Sequence, residues 1–325
     1  MKRPAFIITI DTEGDNLWGS PTDITSHNAR FLPRFQELCE QYDFKPTYLT
    51  NYEMAIDPDY QRFAKDVLAR GTGEVGMHLH AWNSPPLVAL TKDDYRYTPY
   101  LIEYPAEVIR QKIDFMTKLL EDTFATKMVS HRAGRWAFNE FYAEELRRHG
   151  YRVDCSVTPG VDWSRTMGNP QGVGGTNYRD FPRQAYFMAE DDIARPGNST
   201  LLQVPMTIRP KYSPLVETLK NGMNKLRGKD KPRSMQWLRP RGGNAAEMID
   251  IAEAALNQGS DYVEFMLHSS EFMPGGSPTF KDEASIDRLY QDLRKFFDHI
   301  SKRCNGQTLS QYHDHFVTTL GNMAQ

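Results

Sequence analysis

The chain has 325 residues, of which 39% are hydrophobic and 25% are charged, and this composition excludes a wholly disordered protein. No stretch approaches 18 consecutive apolar residues, which argues against a membrane-spanning helix. A net charge of −3 and a pI of about 6.3 argue against an electrostatic grip of the whole protein on nucleic acid, although a local basic patch remains open.

The first half of the chain alternates short β-branched runs with amphipathic helices. Its N-terminus begins like a secretion signal, but the apolar run is short and meets Asp11 and Glu13 at once, so we interpret it as a strand. In chain order, the predicted elements are strand 6–10, helix 28–42, strand 46–49, helix 57–70, strand 74–80, helix 105–124, strand 127–130, helix 139–149 and strand 151–156.

The second half keeps this rhythm. Its predicted elements are strands 178–187 and 201–208, helix 244–258, strand 262–267 and a closing helix 286–300. The alternation of strands and helices predicts a parallel sheet with helical crossovers. Because no proline-rich linker separates two halves, we predict a single α/β domain of barrel type over residues 1–325.

Three cysteines, Cys39, Cys155 and Cys304, are odd in number and far apart, and no CxxC pair occurs. This usage favours a reducing, cytoplasmic setting over a disulfide scaffold or a zinc site built from cysteines.

Polar and titratable residues collect where the predicted strands stop. The clusters are Asp11-Thr12-Glu13-Gly14-Asp15, His78-Leu79-His80-Ala81-Trp82, His131-Arg132-Ala133-Gly134-Arg135-Trp136, Asp154 after Val153, and His268-Ser269-Ser270-Glu271. Because the carboxyl ends of parallel barrel strands open on one face, these five clusters predict one shared site.

The pair His78 and His80, together with carboxylates from another strand, suggests a metal site. A lone Asp after a strand is often a cap or turn residue, and a lone His is more often structural. Two neutral imidazoles and a carboxylate, however, are a typical ligand set for a catalytic Zn²⁺ or another divalent ion. The two rings point the same way only on a strand, whereas in a loop the second could come from a turn.

At these residues the sequence resembles the polysaccharide deacetylase family, which is carbohydrate esterase family 4 or the NodB-homology group. The resemblance spans roughly residues 5–275 and implies a distorted (β/α) barrel of about seven parallel strands. It implies a divalent metal, with Zn²⁺ as first choice and Co²⁺, Ni²⁺ or Mn²⁺ as alternatives. The activity implied is removal of an N-acyl group, acetyl by preference, from an amino sugar. The segment 268–278 resembles a subgroup of cell-surface polysaccharide biosynthesis.

The first motif of that family is a strand ending in Asp-Asp, and its counterpart here is Asp11-Thr12-Glu13. Thr12 departs from the pattern, and the second carboxylate comes one residue later. We therefore carry the catalytic-base role to Asp11 and the metal-ligand role to Glu13. The two roles could be exchanged, and Asp15 is a weaker candidate.

The remaining motifs supply the other expected site residues. His78 matches the first histidine of a His-x-x-x-His motif, and His80 is assigned as the second ligand on chemical grounds because the spacing is shorter. Arg132 matches the arginine that orients the catalytic carboxylate in the family. His268 ends the last motif and inherits the general-acid role.

Four further residues are predicted to bind substrate: Trp136, Arg135, Asp154 and Trp82. Aromatic faces stack on sugar rings, but large aromatic residues also simply pack. For Trp82 and for Trp163 we slightly favour packing, whereas Trp136 is expected at the substrate.

An inserted segment around 209–241 carries ten Lys and Arg residues against two acids, Glu217 and Asp230. A solvated basic loop is the ordinary interpretation. The functional one is a grip on the phosphate of a nucleotide-linked or lipid-linked sugar, or on an anionic membrane surface. A second His-x-His pair, His313 and His315, follows the last predicted helix and lacks the strand context, so it is expected to be structural or on the surface.

Two other functions compete with the sugar deacetylase. One is hydrolysis of a non-sugar amide, as in the allantoinase-like branch of the same fold. The other is a catalytically inactive carbohydrate-binding barrel, suggested by the departures at Thr12 and His80. Asp11, Arg132 and His268 are all present, and this argues against the hypothesis of an inactive protein, since binding alone needs no acid–base residues.

Overall fold

The strands form one curled sheet and one short hairpin in the computed structural model, which describes residues 3–19, 21–213, 215–220 and 234–323. The strands are β1 Ala5–Thr12, β2 Thr47–Thr50, β3 Glu74–Leu79, β4 Ser130–Ala133, β5 Val153–Asp154, β6 Tyr186–Phe187, β7 Leu202–Gln203, β8 Ile208–Pro210, β9 Met235–Trp237, β10 Tyr262–His268 and β11 Asn305–Gln307.

The main sheet runs in the order β10-β1-β2-β3-β4-β5-β7-β6, and the first seven of these strands are mutually parallel. Only β6 is antiparallel to its neighbour β7. β11 pairs with the first residues of β1, and β2 pairs with its last residues. The prediction of a distorted barrel with about seven parallel strands is confirmed.

Helices connect most of the parallel strands, whereas a long connection without an α-helix joins β5 to its parallel neighbour β7. The α-helices include Leu32–Glu40, Tyr52–Ala55, Pro58–Arg70, Asp94–Tyr97, Ala106–Phe124, Glu140–Arg148, Ala245–Asn257, Glu283–Ile300 and Leu309–Met323. The six long helices expected from periodicity are all present, each with slightly shifted ends. None of the described helices combines the length and hydrophobicity needed to cross a lipid bilayer.

The sheet does not close by a strand ladder between β10 and β7. Instead an irregular segment bridges the opening, where the Glu264 amide donates to Thr207 Oγ1 at 2.8 Å. The Met266 amide likewise donates to the Leu238 carbonyl at 3.4 Å. The barrel is therefore closed by side chains and loop backbone on this side.

Two predicted strands are largely wrong, and proline explains both. The expected strand 178–187 contains Pro182 and is a strand only at β6, while 201–208 contains Pro205 and is divided between β7 and β8. Proline has no amide hydrogen, so it interrupts a ladder in the middle of a sheet. The predicted strand 127–130 is also displaced, because ladder pairing begins only at Ser130.

The last helix, Leu309–Met323, was not predicted. Its first turn packs against the amino-terminal ends of the barrel strands. Leu309 and Tyr312 are buried there against Ala5 and Tyr262. Glu74 accepts hydrogen bonds from the amide and the hydroxyl of Ser310 at 3.0 and 2.9 Å and so anchors the first turn.

His313 and His315 belong to this last helix, so the prediction that they follow the final helix is wrong. His313 is buried with Nδ1 3.0 Å from Asp314, and His315 lies 3.4 Å from Gln307. Both lie in the structural setting that we expected for them.

Candidate active site

The carboxyl ends of four parallel strands bring the predicted acid, base and ligand residues together. Asp11 of β1 is the direct register partner of His268 of β10, and His78 of β3 is that of Arg132 of β4. Adjacent parallel strands end side by side, so residues more than 200 positions apart become neighbours. The expected convergence at one edge is what the structure shows.

Glu13, His78 and His80 form a buried set of possible metal ligands. One donor atom from each lies within 4.8 Å of the other two. Glu13 Oε2 is 3.5 Å from His78 Nε2 and 3.3 Å from His80 Nε2. His78 lies on β3 and His80 just beyond its end, with ring centroids 4.7 Å apart. Both imidazoles therefore present Nε2 to one carboxylate.

The second nitrogen of His78 is consistent with metal binding through Nε2, whereas that of His80 is unpaired in the part of the chain that the structure describes. His78 Nδ1 lies 2.9 Å from the Arg132 carbonyl, which accepts a hydrogen bond from this nitrogen and leaves the Nε2 lone pair free. His80 Nδ1 is buried and has no hydrogen-bond partner among the described residues. The His80 ring is held by stacking on Trp82 at 4.3 Å. Two imidazoles and one carboxylate fit a divalent ion with an open coordination position.

Electrostatics also favour a cation between these side chains. Burial lowers the pKa of His80 well below its usual value, so its ring is neutral and able to act as a ligand. Burial also opposes protonation of His78, but Asp11 and Glu13 outweigh it and raise the pKa of His78. The negative charges of Asp11 and Glu13 therefore favour a cation beside the two imidazoles.

The loop that carries Glu13 is held from both sides. The Glu13 amide donates to Ser269 Oγ at 3.0 Å, and its carbonyl accepts from Ser269 Oγ at 3.0 Å and from Asn28 Nδ2 at 2.8 Å. Glu53 accepts from the Gly14 amide at 2.6 Å. These contacts fix where the Glu13 carboxylate emerges after β1.

One carboxylate oxygen of Asp11 contacts a fully buried arginine, while the residue also lines the cavity above the candidate ligands. Arg132 Nη1 donates to Asp11 Oδ1 at 2.5 Å, and Arg132 Nη2 donates to Thr9 Oγ1 at 2.7 Å and Glu264 Oε1 at 2.5 Å. Burial would raise the pKa of Asp11, but the Arg132 charge and then His78 and His268 lower it. Asp11 is thus held ionised and oriented.

His268 lies opposite Asp11 across the site. Its Nε2 is 3.9 Å from both Asp11 Oδ2 and Glu13 Oε1, and its Nδ1 is 3.2 Å from Glu271 Oε2. Arg239 in turn donates to both oxygens of Glu271 at 2.8 and 2.7 Å. Burial disfavours the charged ring, but Glu271 and Glu13 outweigh it and raise the pKa of His268.

Above these groups lies a cavity of about 520 Å³, and all five tryptophans of the chain line it. They are Trp18, Trp82, Trp136, Trp163 and Trp237. From the sequence we slightly favour packing for Trp82 and Trp163. In the structure both residues pack against neighbours and both also line the cavity. Trp18 meets the His268 ring edge-on at 5.1 Å.

Arg135 and Trp136 form a turn in the left-handed backbone region, with φ of 53° and 65°. Non-glycine residues rarely adopt this conformation, and consecutive examples mark a strained turn. The turn places the Trp136 ring 4.8 Å from the Arg132 guanidinium carbon. Arg135 lines the cavity, but it donates to the carbonyls of Thr98 and Met167 and so mainly ties loops together.

Asp154 does not lie where we predicted it. It is fully buried on β5, with Oδ1 2.7 Å from His131 Nδ1, and it accepts two hydrogen bonds from Ser156. It does not line the cavity, so the structure places it in a structural network below the site. Asp15 accepts from Thr25 and also lies outside the ligand set.

Sequence reasoning missed the partners of His268 and much of the aromatic wall. Glu271 follows His268 by three residues, and that spacing in a tight turn was the available signal. Trp18 follows β1 in the same loop as Glu13, but no pattern marked it. Arg239 and Trp237 come from the inserted segment, whose contacts depend on tertiary structure alone.

Comparison with known proteins identifies the fold. No family model matches the chain, and no curated protein matches it. A candidate polysaccharide deacetylase from Mycobacterium smegmatis is 14% identical, with 98% of this chain and 92% of that one covered and a TM-score of 0.54. A candidate glycoside hydrolase/deacetylase from Parabacteroides distasonis is 9% identical over 96% and 71% of the two chains, with a TM-score of 0.63.

A branching enzyme from Thermococcus kodakaraensis is also similar, with 9% identity, coverage of 96% and 71%, and a TM-score of 0.54. At such low identities the likeness concerns the fold and not the reaction. The chain therefore shares with these structures a curled, mostly parallel barrel of the polysaccharide-deacetylase type.

Proposed function

We propose that the protein is a metal-dependent hydrolase that removes an N-acyl group, acetyl by preference, from an amino sugar. The observation that carries this proposal is the triad of candidate ligands Glu13, His78 and His80, set between an ionised Asp11 and His268 at the floor of one cavity. A base, an acid and a divalent-ion site within one pocket are the parts that amide hydrolysis needs.

A divalent ion held by the three ligands would supply a Lewis acid that polarises the acyl carbonyl and acidifies the attacking water. Asp11 accepts the proton of that water. Arg132 keeps Asp11 ionised and directs its free oxygen, Oδ2, towards the site, since Oδ1 is occupied at 2.5 Å by the guanidinium.

His268 then donates a proton from Nε2 to the departing amine. Its Nδ1 is occupied by Glu271, so Nε2 is the nitrogen that faces Asp11 and the cavity. The hydrogen bond to Glu271 and the charge of Glu13 raise the pKa of His268, which favours the protonated ring that can donate. Acid catalysis of this kind contributes about 10²–10⁴-fold to the rate.

The aromatic wall supports a sugar as the substrate. Rings such as Trp136 and Trp237 can stack on the apolar faces of a pyranose, and the cavity lies within the usual range of about 300–1,000 Å³ for small-molecule sites. We propose a role in cell-surface polysaccharide biosynthesis in the cytoplasm, where the three free, buried cysteines would stay reduced.

The decisive experiment measures acetate or formate released from N-acyl amino sugars by protein loaded with Zn²⁺, Co²⁺, Ni²⁺ or Mn²⁺. The variant His78→Ala/His80→Ala should lose both bound metal and activity. The chain provides a matched control, because His313→Ala/His315→Ala changes a second His-x-His pair outside the site. Full activity of the first variant without metal would refute the scheme.

Two other outcomes would redirect the proposal. Release of product from ureides but not from amino sugars would identify a hydrolase of non-sugar amides. Binding of amino sugars without release of any acid, with metal present, would identify an inactive carbohydrate-binding barrel.

A further inference from the structure

The hairpin β8–β9 carries an exposed apolar face beside a strongly basic stretch. Residues 215–220, which follow β8, are helical. Leu215, Val216 and Leu219 of this helix are 73%, 42% and 62% exposed, whereas Glu217 is buried. A surface helix normally shows the opposite arrangement, with its apolar residues inward. Among the described residues, this apolar face is therefore left uncovered and open to a partner.

The surroundings of this face are cationic and aromatic. Lys220 lies over the Tyr212 ring at 3.5 Å, and Lys211 lies 5.7 Å from the same ring. In sequence, residues 209–233 hold eight Lys and Arg residues and two acids, in a chain whose net charge is −3. Of this stretch, residues 214 and 221–233 lie outside the described part of the structure.

From these observations we infer that residues 211–213 and 215–220 dock on an anionic lipid surface. Leucines enter the boundary between head groups and acyl chains, while lysines and a tyrosine remain at the level of the head groups. Charge complementarity favours an anionic bilayer, because residues 209–233 carry eight basic residues against two acids.

The hairpin connects this surface to the cavity. β9 leads directly to Trp237, Arg239 and Arg241, which line the cavity, while β8 and β9 pair through Ile208 and Trp237. Docking would thus bring the cavity rim near the bilayer. If the proposed function is right, this geometry suits a sugar carried on a lipid phosphate, and this last step rests on that function.

The test is co-sedimentation of the whole protein with vesicles of phosphatidylcholine, with and without phosphatidylglycerol. We expect binding only to the anionic vesicles, and weaker binding as salt is raised. Leu215→Ala/Leu219→Ala should weaken binding by at least about tenfold, since each leucine loses burial in lipid. Lys211→Gln/Lys220→Gln should lower it by about fivefold for each lysine.

The matched control is Val317→Ala/Leu320→Ala, two residues that are also exposed but lie on the last helix. It should bind as the unchanged protein does. Equal binding to neutral vesicles, unchanged binding of the leucine variant, or binding to heparin but not to vesicles would each overturn the inference.

Vesicle binding needs no turnover, so it is independent of the deacetylase proposal. The leucine variant should also hydrolyse a water-soluble substrate as fast as the unchanged protein. Loss of that activity together with vesicle binding would indicate a folding defect, and circular dichroism with a urea titration would identify it. A properly folded leucine variant that binds vesicles as before would contradict the docking surface and would leave the deacetylase proposal unaffected.

Discussion

Asp11 and Glu13 are separated by one residue, yet their surroundings give them different chemistry. Asp11 is paired with Arg132, whereas Glu13 faces the two imidazoles. Loss of a residue that hydrogen-bonds to a metal ligand typically weakens metal binding by about 10–100-fold. Because Glu13 is itself a candidate ligand, Glu13→Gln should weaken metal binding by more than that. Asp11→Asn should retain the metal and lower kcat by about 10²–10⁴-fold.

Titration of both variants with Zn²⁺ against a competing chelator, alongside kcat, distinguishes the two roles. If Asp11→Asn loses the metal and Glu13→Gln keeps it, the roles of the two carboxylates are exchanged.

His268 offers a second test at the residue scale. His268→Ala should keep the metal, because His268 is not among the three candidate ligands, and should lose most turnover for want of an acid. Metal content by elemental analysis and initial rates measure the two quantities. An equal loss of metal and activity would show that His268 is a ligand and not the acid.

Glu271 sets the pH range in which His268 can act. Burial lowers the pKa of His268, but the hydrogen bond to Glu271 and the charge of Glu13 raise it above its usual value. The acid form is present below that pKa, so activity should fall as pH rises through it. Glu271→Gln removes the largest raising interaction, and the alkaline limb of kcat/KM should move to lower pH.

A matched control is Glu247→Gln, which removes the partner of another cavity arginine, Arg241, without touching His268. Its profile should coincide with that of the unchanged protein. A profile for Glu271→Gln that differs only in height would show that Glu271 is structural.

At the scale of elements, the caps explain where the helices begin. Asp57 precedes helix Pro58–Arg70, and its Oδ1 accepts from the Tyr60 amide at 2.8 Å while its Oδ2 accepts from Ser26 at 2.7 Å. Asp57→Ala should lower the free energy of unfolding by about 1 kcal/mol, as loss of an N-cap does.

Urea unfolding monitored by circular dichroism measures this change. Asp66→Ala on the same helix removes only an exposed pair with Arg70 and should cost less than about 0.5 kcal/mol. Equal costs for the two variants would contradict the capping role of Asp57.

At the scale of the whole molecule, a carboxyl group is buried inside the barrel next to Arg132. Burial raises the pKa of Glu264 from 4.5 to about 7, even though Arg132 and Thr9 oppose the shift. The pKa of Glu264 is therefore higher in the folded than in the unfolded protein. Its contribution to the stability of the folded protein is complete below pH 4.5 and is lost as pH rises through about 7.

The metal-free protein should therefore lose stability, by up to about 3 kcal/mol from this group, as pH rises across that window. Glu264→Gln should flatten this dependence. It should not remove it, because burial also raises the pKa of Glu53 to about 7. Urea titrations at several pH values test this, and parallel curves for the two proteins would count against the assignment.

The pattern of the sequence was sufficient for the class of fold and for most of the site. Short β-branched runs alternating with amphipathic helices predict a parallel barrel, and polar residues at the strand ends predict a site at one edge. Asp11, Glu13, His78, His80, Arg132 and His268 do lie together. These signals are local, because burial of one strand or helix face imposes its own periodicity.

Only the tertiary structure decided which of these residues contact one another. The barrel register pairs Asp11 with His268, and the turn after β10 gives His268 its partner Glu271, while Asp154 is engaged by His131. It also gathers five tryptophans from separate segments of the chain into one wall. Such contacts join residues far apart in the chain, so no local pattern encodes them, and only strand pairing and packing bring them within bonding distance.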